Sequence, residues 1–74
     1  MDWRERIVYD PRVRDGKPVI RGTQLTVEHI LVKLSSGATE ADLLAAYPRL
    51  SADDIKACYA FVAASIQEMA KSKH

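Results

Sequence analysis

The sequence contains one cysteine, two histidines, three glycines and three prolines in 74 residues, and each scarcity closes off a kind of chemistry. A lone thiol, Cys58, forms no internal disulfide, which fits a reducing compartment and a cytoplasmic protein. His29, Cys58 and His74 lack the spacing of metal ligands, so neither a metal nor a cofactor is expected. With so few histidines, no Ser/His/Asp or Cys/His set can be assembled, and neither enzyme activity nor a small-molecule substrate is expected. Gly16-Lys17 and Gly22-Thr23 fail as a phosphate loop. That loop needs a first glycine, about four residues and then Gly-Lys-Ser/Thr. No apolar run approaches the roughly eighteen residues that would span a membrane. Met1 to Arg6 carries Asp2 and Glu5 with no apolar core behind it, unlike a secretory signal.

Excess charge is lacking too. The net charge is +1, against a composition 47% hydrophobic and 28% charged that suits a globular chain. The balance is uneven along the chain, however. Up to Thr23 there are six basic residues and four acidic; from Gln24 onward there are five and six. Any electropositive patch must come from the first segment, where Arg12, Arg14, Lys17 and Arg21 are candidates for contact with phosphates or with an acidic partner.

What the sequence does have is helix signals. Ser51 and Asp54 form a capping box, and Asp53 and Asp54 put negative charge at the positive end of a helix dipole. Ile55, Cys58, Tyr59, Val62, Ile66 and Met69 then recur at spacings of three and four. A helix is predicted from Ala52 to Ala70. Its opposite face is also apolar: Ala57, Ala60, Phe61 and Ala64. A helix apolar nearly all round is buried all round, and so short a chain is hard pressed to cover both sides. Two explanations stand: the face packs against a second copy or another partner, or Phe61 packs beneath the N-terminal segment.

Ahead of this helix, Thr26 caps a stretch in which Val27, Ile30, Leu31 and Leu34 share a face, and Gly37 ends it. Thr39 and Asp42 make a second capping box, opening a short helix through Leu43 and Leu44 to Ala46. Pro48 takes Tyr47 out of helical geometry, and Leu50 is placed to pack on Ile55. The first 25 residues read as an extended arm. Ile7-Val8-Tyr9 and Lys17-Pro18-Val19-Ile20 are β-prone, with turn signals at Asp10-Pro11, Asp15-Gly16 and Gly22-Thr23. Two strands on so small an arm are marginal alone and must lie on the helices or pair with another chain. This makes Ile7, Tyr9 and Val19 candidate interaction residues. The expected fold is all-α: a three-helix, helix-turn-helix or homeodomain-like domain at 26–70, a short β arm at 1–25 and a frayed tail at 71–74.

That outline invites a DNA-reading role, in which the start of the third helix would enter a groove. Here that end carries Asp53 and Asp54, which phosphate repels, and no arginine or asparagine placed for bidentate base contacts. A DNA-binding regulator is therefore an alternative rather than the leading expectation, and a structural homodimeric protein-interaction module is another.

The stretch from Ile7 to Val27, IVYDPRVRDGKPVIRGTQLTV, resembles the signature of the family called domain of unknown function 433. The block GKPVIRGT, Gly16 to Thr23, carries most of the likeness. Gly37, Leu43-Leu44, Tyr47-Pro48, Leu50-Ser51 and Asp54-Ile55 extend it over about residues 5–66. Gln24 departs from the pattern, which often has arginine after Gly-Thr; the change removes a charge and weakens any nucleic-acid role carried by this junction. The resemblance implies a winged- or homeodomain-like three-helix fold with an N-terminal β arm, assembled as a homodimer. It also implies an antitoxin role in type II toxin-antitoxin pairs, with a PIN-like nuclease as the toxin partner.

Overall fold

The computed structural model describes residues 2–9, 11–12 and 16–72, with Ser72 described by its backbone alone. The residues Met1, Asp10, Val13, Arg14, Asp15, Lys73 and His74, and the readings that rest on them, lie outside this set. Three helices and a short two-stranded sheet make up the fold: β1 Ile7–Val8, β2 Val19–Ile20, α1 Val27–Ser35, α2 Glu40–Ala46 and α3 Ala52–Ser72. A 3-10 turn at Trp3–Glu5 precedes them.

Each helix begins where a side chain can satisfy its free amides. The Thr26 hydroxyl accepts from the His29 amide at 3.0 Å. Thr39 and Asp42 exchange bonds of 2.9 and 3.0 Å, and Ser51 and Asp54 exchange bonds of 3.0 and 3.1 Å. The end of α1 is closed by the glycine device the sequence predicts. Gly37 takes φ +112°, its amide bonds to the Leu34 carbonyl, and the Ala38 amide bonds back to Lys33. Tyr47 leaves helical geometry at ψ +94° just before Pro48.

The strands pair within one chain, antiparallel, with Ile7 opposite Ile20 and Val8 opposite Val19. β2 then folds back on itself. The Ile20 amide donates to the Leu25 carbonyl at 2.8 Å, and the Val27 amide donates to the Pro18 carbonyl at 3.0 Å. Between them Gly22 and Gln24 both take left-handed backbone, φ +81° and +63°. The Thr23 hydroxyl fastens the loop by donating to the Ile20 carbonyl and accepting from the Leu25 amide.

Ile7, Ile20, Val27, Ile30, Leu43, Leu50, Ile55, Ala57 and Cys58 form the core. Both strands and all three helices thus contribute, and Leu50 and Ile55 both belong to the cluster. Phe61 and Val62 are the last α3 residues packed against this cluster. Beyond them α3 runs on to Ser72, two residues past the predicted end. The overhang accounts for a radius of gyration of 12.7 Å and a long axis of 43 Å, where a compact chain of this length would have a radius near 11 Å.

The 3-10 turn has no counterpart in the sequence reading. Asp2 caps it by accepting from the Arg4 amide at 3.0 Å, and it sets Trp3 edge-on to Phe61 with ring centroids 5.1 Å apart. Tyr9 reaches the same ring at 6.1 Å. Phe61 therefore packs beneath the N-terminal segment, as the second explanation has it.

The Gly22 turn gives a clean stability test. A Cβ built at Gly22 meets nothing within 4 Å, so Gly22→Ala is penalised only through its left-handed backbone, by about 1 kcal/mol. Thermal melts followed by circular dichroism should show a midpoint lowered by about 4–8 °C.

Candidate protein-interaction surface

Arg6 sits at the junction of every part of the arm. Its amide donates to the Trp3 carbonyl, closing the 3-10 turn, and its carbonyl accepts from the Arg21 amide at 2.8 Å, extending the β1–β2 ladder. Its guanidinium reaches across to α3 and donates to Asp54 Oδ1 at 3.0 Å, with Asp53 a further 3.6 Å contact. Asp54 is only 6% exposed. Its other oxygen accepts from the Ser51 amide, so one carboxylate both starts α3 and anchors the arm.

This anchoring fixes a cleft of about 570 Å³ on the arm, lined by Val8, Val19, Ile20, Arg21, Gly22, Thr23, Gln24 and Arg49. Six of these come from one continuous stretch, Val19 to Gln24, which folds over as the hook after β2. Arg49, from the turn before α3, leans on the loop and donates to the Gly22 carbonyl at 3.4 Å. A smaller polar notch lined by Glu5, Arg6, Arg21 and Asp54 adjoins it, sharing Arg21. The cleft thus joins an apolar floor to two arginines, a chemistry suited to a carboxylate flanked by apolar side chains.

The structure gathers few of the residues proposed from sequence. Arg21 lines the cleft. Lys17 instead pairs with Glu28 on α1 at 3.2 Å, Arg12 is exposed away from the cleft lining and engaged in contacts of its own, and Arg14 is outside the described residues. Ile7 is buried, because its strand pairs with β2 and lies on the helices, and offers a partner little surface; Val19 is nearly buried too but lies in the cleft lining with Arg21. Tyr9 is exposed. On α3, Ala57 is wholly buried in the core, and Ala60, Phe61 and Ala64 are half-buried, with Trp3 packed against Phe61. Arg6 and Arg49 were missed. Each stands alone beside a turn, with no periodicity to mark it.

Other polar side chains serve the scaffold. His29 Nε2 lies 2.9 Å from the Tyr47 hydroxyl, tying α1 to the turn after α2. Burial, with the Asp54 charge nearby, pushes the Cys58 thiol up to about 11, leaving little thiolate near neutral pH. Among the described residues no group of three or more His, Cys, Asp or Glu side chains is placed to hold a metal ion, and no helix is long and apolar enough to cross a membrane.

A small three-helix domain with a hooked β arm is the class that fold and cleft define. The sequence model of one family, protein of unknown function DUF433, matches residues 7–62. The chain belongs to that family. Its fold is similar to the crystal structure, at 2.00 Å resolution, of a DUF433 member protein from Anabaena variabilis ATCC 29413, with a TM-score of 0.78 and 28% identity. The alignment covers 90% of this chain and 66% of that one, so the chain spans just under two thirds of its relative's length. No curated protein matches it.

The Arg6–Asp54 link predicts an asymmetry among ion pairs. Arg6→Ala leaves the nearly buried Asp54 without its counter-charge and should cost about 2 kcal/mol, below the usual loss for a buried pair because Arg6 remains partly in water. Lys17→Ala breaks a pair in which both side chains are more than half exposed and should cost under about 0.5 kcal/mol. Urea unfolding of both variants checks the difference.

Proposed function

We propose that this protein is a non-catalytic, antitoxin-like adaptor that binds and neutralises a PIN-like nuclease, with the arm cleft as its contact surface. One observation carries the reading. The stretch on which the family likeness turns is also the wall of a cleft in which Arg21 and Arg49 flank an apolar floor. A nuclease of that kind concentrates carboxylates about its metal site, and an arginine pair in a partly desolvated contact is a strong partner for them. Inhibition then needs only occlusion. It asks for no reacting group from this chain.

A DNA-reading role through the start of α3 is the weaker reading. Asp53 and Asp54 occupy its first turn, where they would face phosphate.

The test is co-expression with a PIN-like nuclease encoded in the same genome. The expected outcome is a stable complex in which RNA cleavage stops at stoichiometric addition of this protein. Arg21→Glu combined with Arg49→Glu should weaken binding at least about 100-fold, while Lys17→Glu changes it less than about threefold. Recovery of this chain alone, with cleavage unaffected, would contradict the proposal.

A further inference from the structure

The arm cleft has a neighbour. A pocket of about 320 Å³ is lined by Leu25, Tyr47 and Pro48 together with Thr23 and Arg49. Thr23 and Arg49 line the cleft as well, so these two residues form a ridge between two concavities. Val8, Val19 and Ile20 make one apolar floor, and Leu25, Tyr47 and Pro48 make the other. The second set is held in place from behind. The Tyr47 hydroxyl lies 2.9 Å from His29 Nε2, the Leu25 carbonyl accepts from the Ile20 amide, and the ring of Pro48 is rigid. Walls already fixed lower the cost of ordering a bound ligand.

The charge beside the ridge is uncommitted. Among the described residues no carboxylate pairs with Arg21 or Arg49. Glu5 and Asp54 share the polar notch with Arg21, yet Asp54 is bonded to Arg6 and to the Ser51 amide. The Arg49 guanidinium has only its long, 3.4 Å bond to the Gly22 carbonyl.

From this arrangement we infer that cleft and pocket together take one extended segment of a protein partner, with an acidic side chain at its centre and an apolar one two places to either side. The inference rests on the cleft being the contact surface, as proposed above, and names what the partner presents to it. Alternate side chains of an extended chain share a face about 7 Å apart. The acidic residue then meets Arg21 and Arg49, whose forks suit a carboxylate, while one apolar side chain enters each concavity. The second concavity makes the acid an internal residue. A chain-terminal carboxylate between the arginines would leave one of the two floors uncovered. Charge also selects a peptide over a nucleic acid: two guanidiniums match a single carboxylate, whereas successive phosphates beside Arg21 would run against Glu5 and Asp54. Gln24, which also lines the cleft, has both a donor and an acceptor for the main chain of such a segment.

Titration of the full-length, isotopically labelled protein with a blocked heptapeptide, acetyl-Ser-Leu-Thr-Glu-Thr-Leu-Ser-amide, tests this without any nuclease. A dissociation constant below about 500 μM is expected, with amide shifts at Arg21 to Leu25, Tyr47 and Arg49. Glutamine for the peptide's glutamate should weaken binding at least about tenfold, and serine for either leucine at least about fivefold. One of those two leucine changes should abolish the shifts at Leu25 and Tyr47 while those at Arg21 and Gly22 persist. Arg49→Gln and Arg21→Gln should each cost at least about fivefold and Lys17→Gln less than about twofold, with circular dichroism unchanged because all three side chains are exposed. No binding at 2 mM peptide (about fourfold above that limit) overturns the inference. So does equal binding of the glutamine peptide, of a peptide cut to end at a free glutamate carboxylate, or of an oligouridylate that displaces the heptapeptide. A nuclease complex that forms while the heptapeptide fails would remove this inference and leave the adaptor reading standing; a heptapeptide that binds as described while no nuclease complex forms would do the reverse.

Discussion

A single arginine holds the two halves of this molecule together. The arm has two strands of two residues each and a three-residue turn, far too little to be stable by itself. Arg6 gathers the arm with two bonds, its amide to the 3-10 turn and its carbonyl to β2, and joins it to α3 with a third, its guanidinium to Asp54. Asp54 is in turn committed to starting α3. The beginning of the longest helix and the placement of the arm are therefore one event. A carboxylate that capped α3 without Arg6 would stand nearly buried and unbalanced, and a guanidinium without Asp54 would keep only the longer Asp53 contact to α3.

That coupling explains how so small a chain supports a shaped surface. Ile7 and Ile20, one from each strand, enter the same core as Ile30, Leu43 and Ile55 from the helices. Burying such side chains contributes about 1.5–3 kcal/mol each, and a chain of this length has few to spare. The hook from Gly22 to Gln24 is consequently built on residues whose neighbours are core. Its left-handed backbone costs stability at Gln24, where the residue is not glycine, and the loop is held by Thr23 and by Arg49. Arg21 and Arg49 are thereby presented on a fixed frame, which lowers the ordering cost of binding a partner.

The helices were legible because their ends are written in side chains. Thr26, the Thr39–Asp42 and Ser51–Asp54 boxes, Gly37 and Pro48 each mark a boundary by local chemistry. The strands were legible from Ile7-Val8 and Val19-Ile20. What the sequence could not disclose was which apolar face meets which neighbour. Ile66 and Met69 continue the stripe of Ile55 and Val62 without a break, yet lie outside the core. α1 and α2 are about 13 and 10 Å long and cannot cover a helix of about 31 Å. The Ala57–Ala64 face looked bare because a three-residue turn has no periodicity to announce it, and only that turn brings Trp3 beneath Phe61. Of the candidate site, Arg21 was legible as part of a signature. Arg6 and Arg49 acquire their roles from partners 48 and 27 residues away.

The claim on which the rest depends is that arm and helices form one cooperative unit fastened at Arg6. Native-state hydrogen exchange measures this directly. The amides of Ile20 and Arg21, bonded to Leu25 and Arg6, report the arm, and those of Ile55 and Cys58 report the core of α3. A single unit predicts protection of the two pairs within about tenfold of each other. Arm amides exchanging about a thousandfold faster than the α3 core, in the native chain, would mean that the arm opens on its own and would contradict the account.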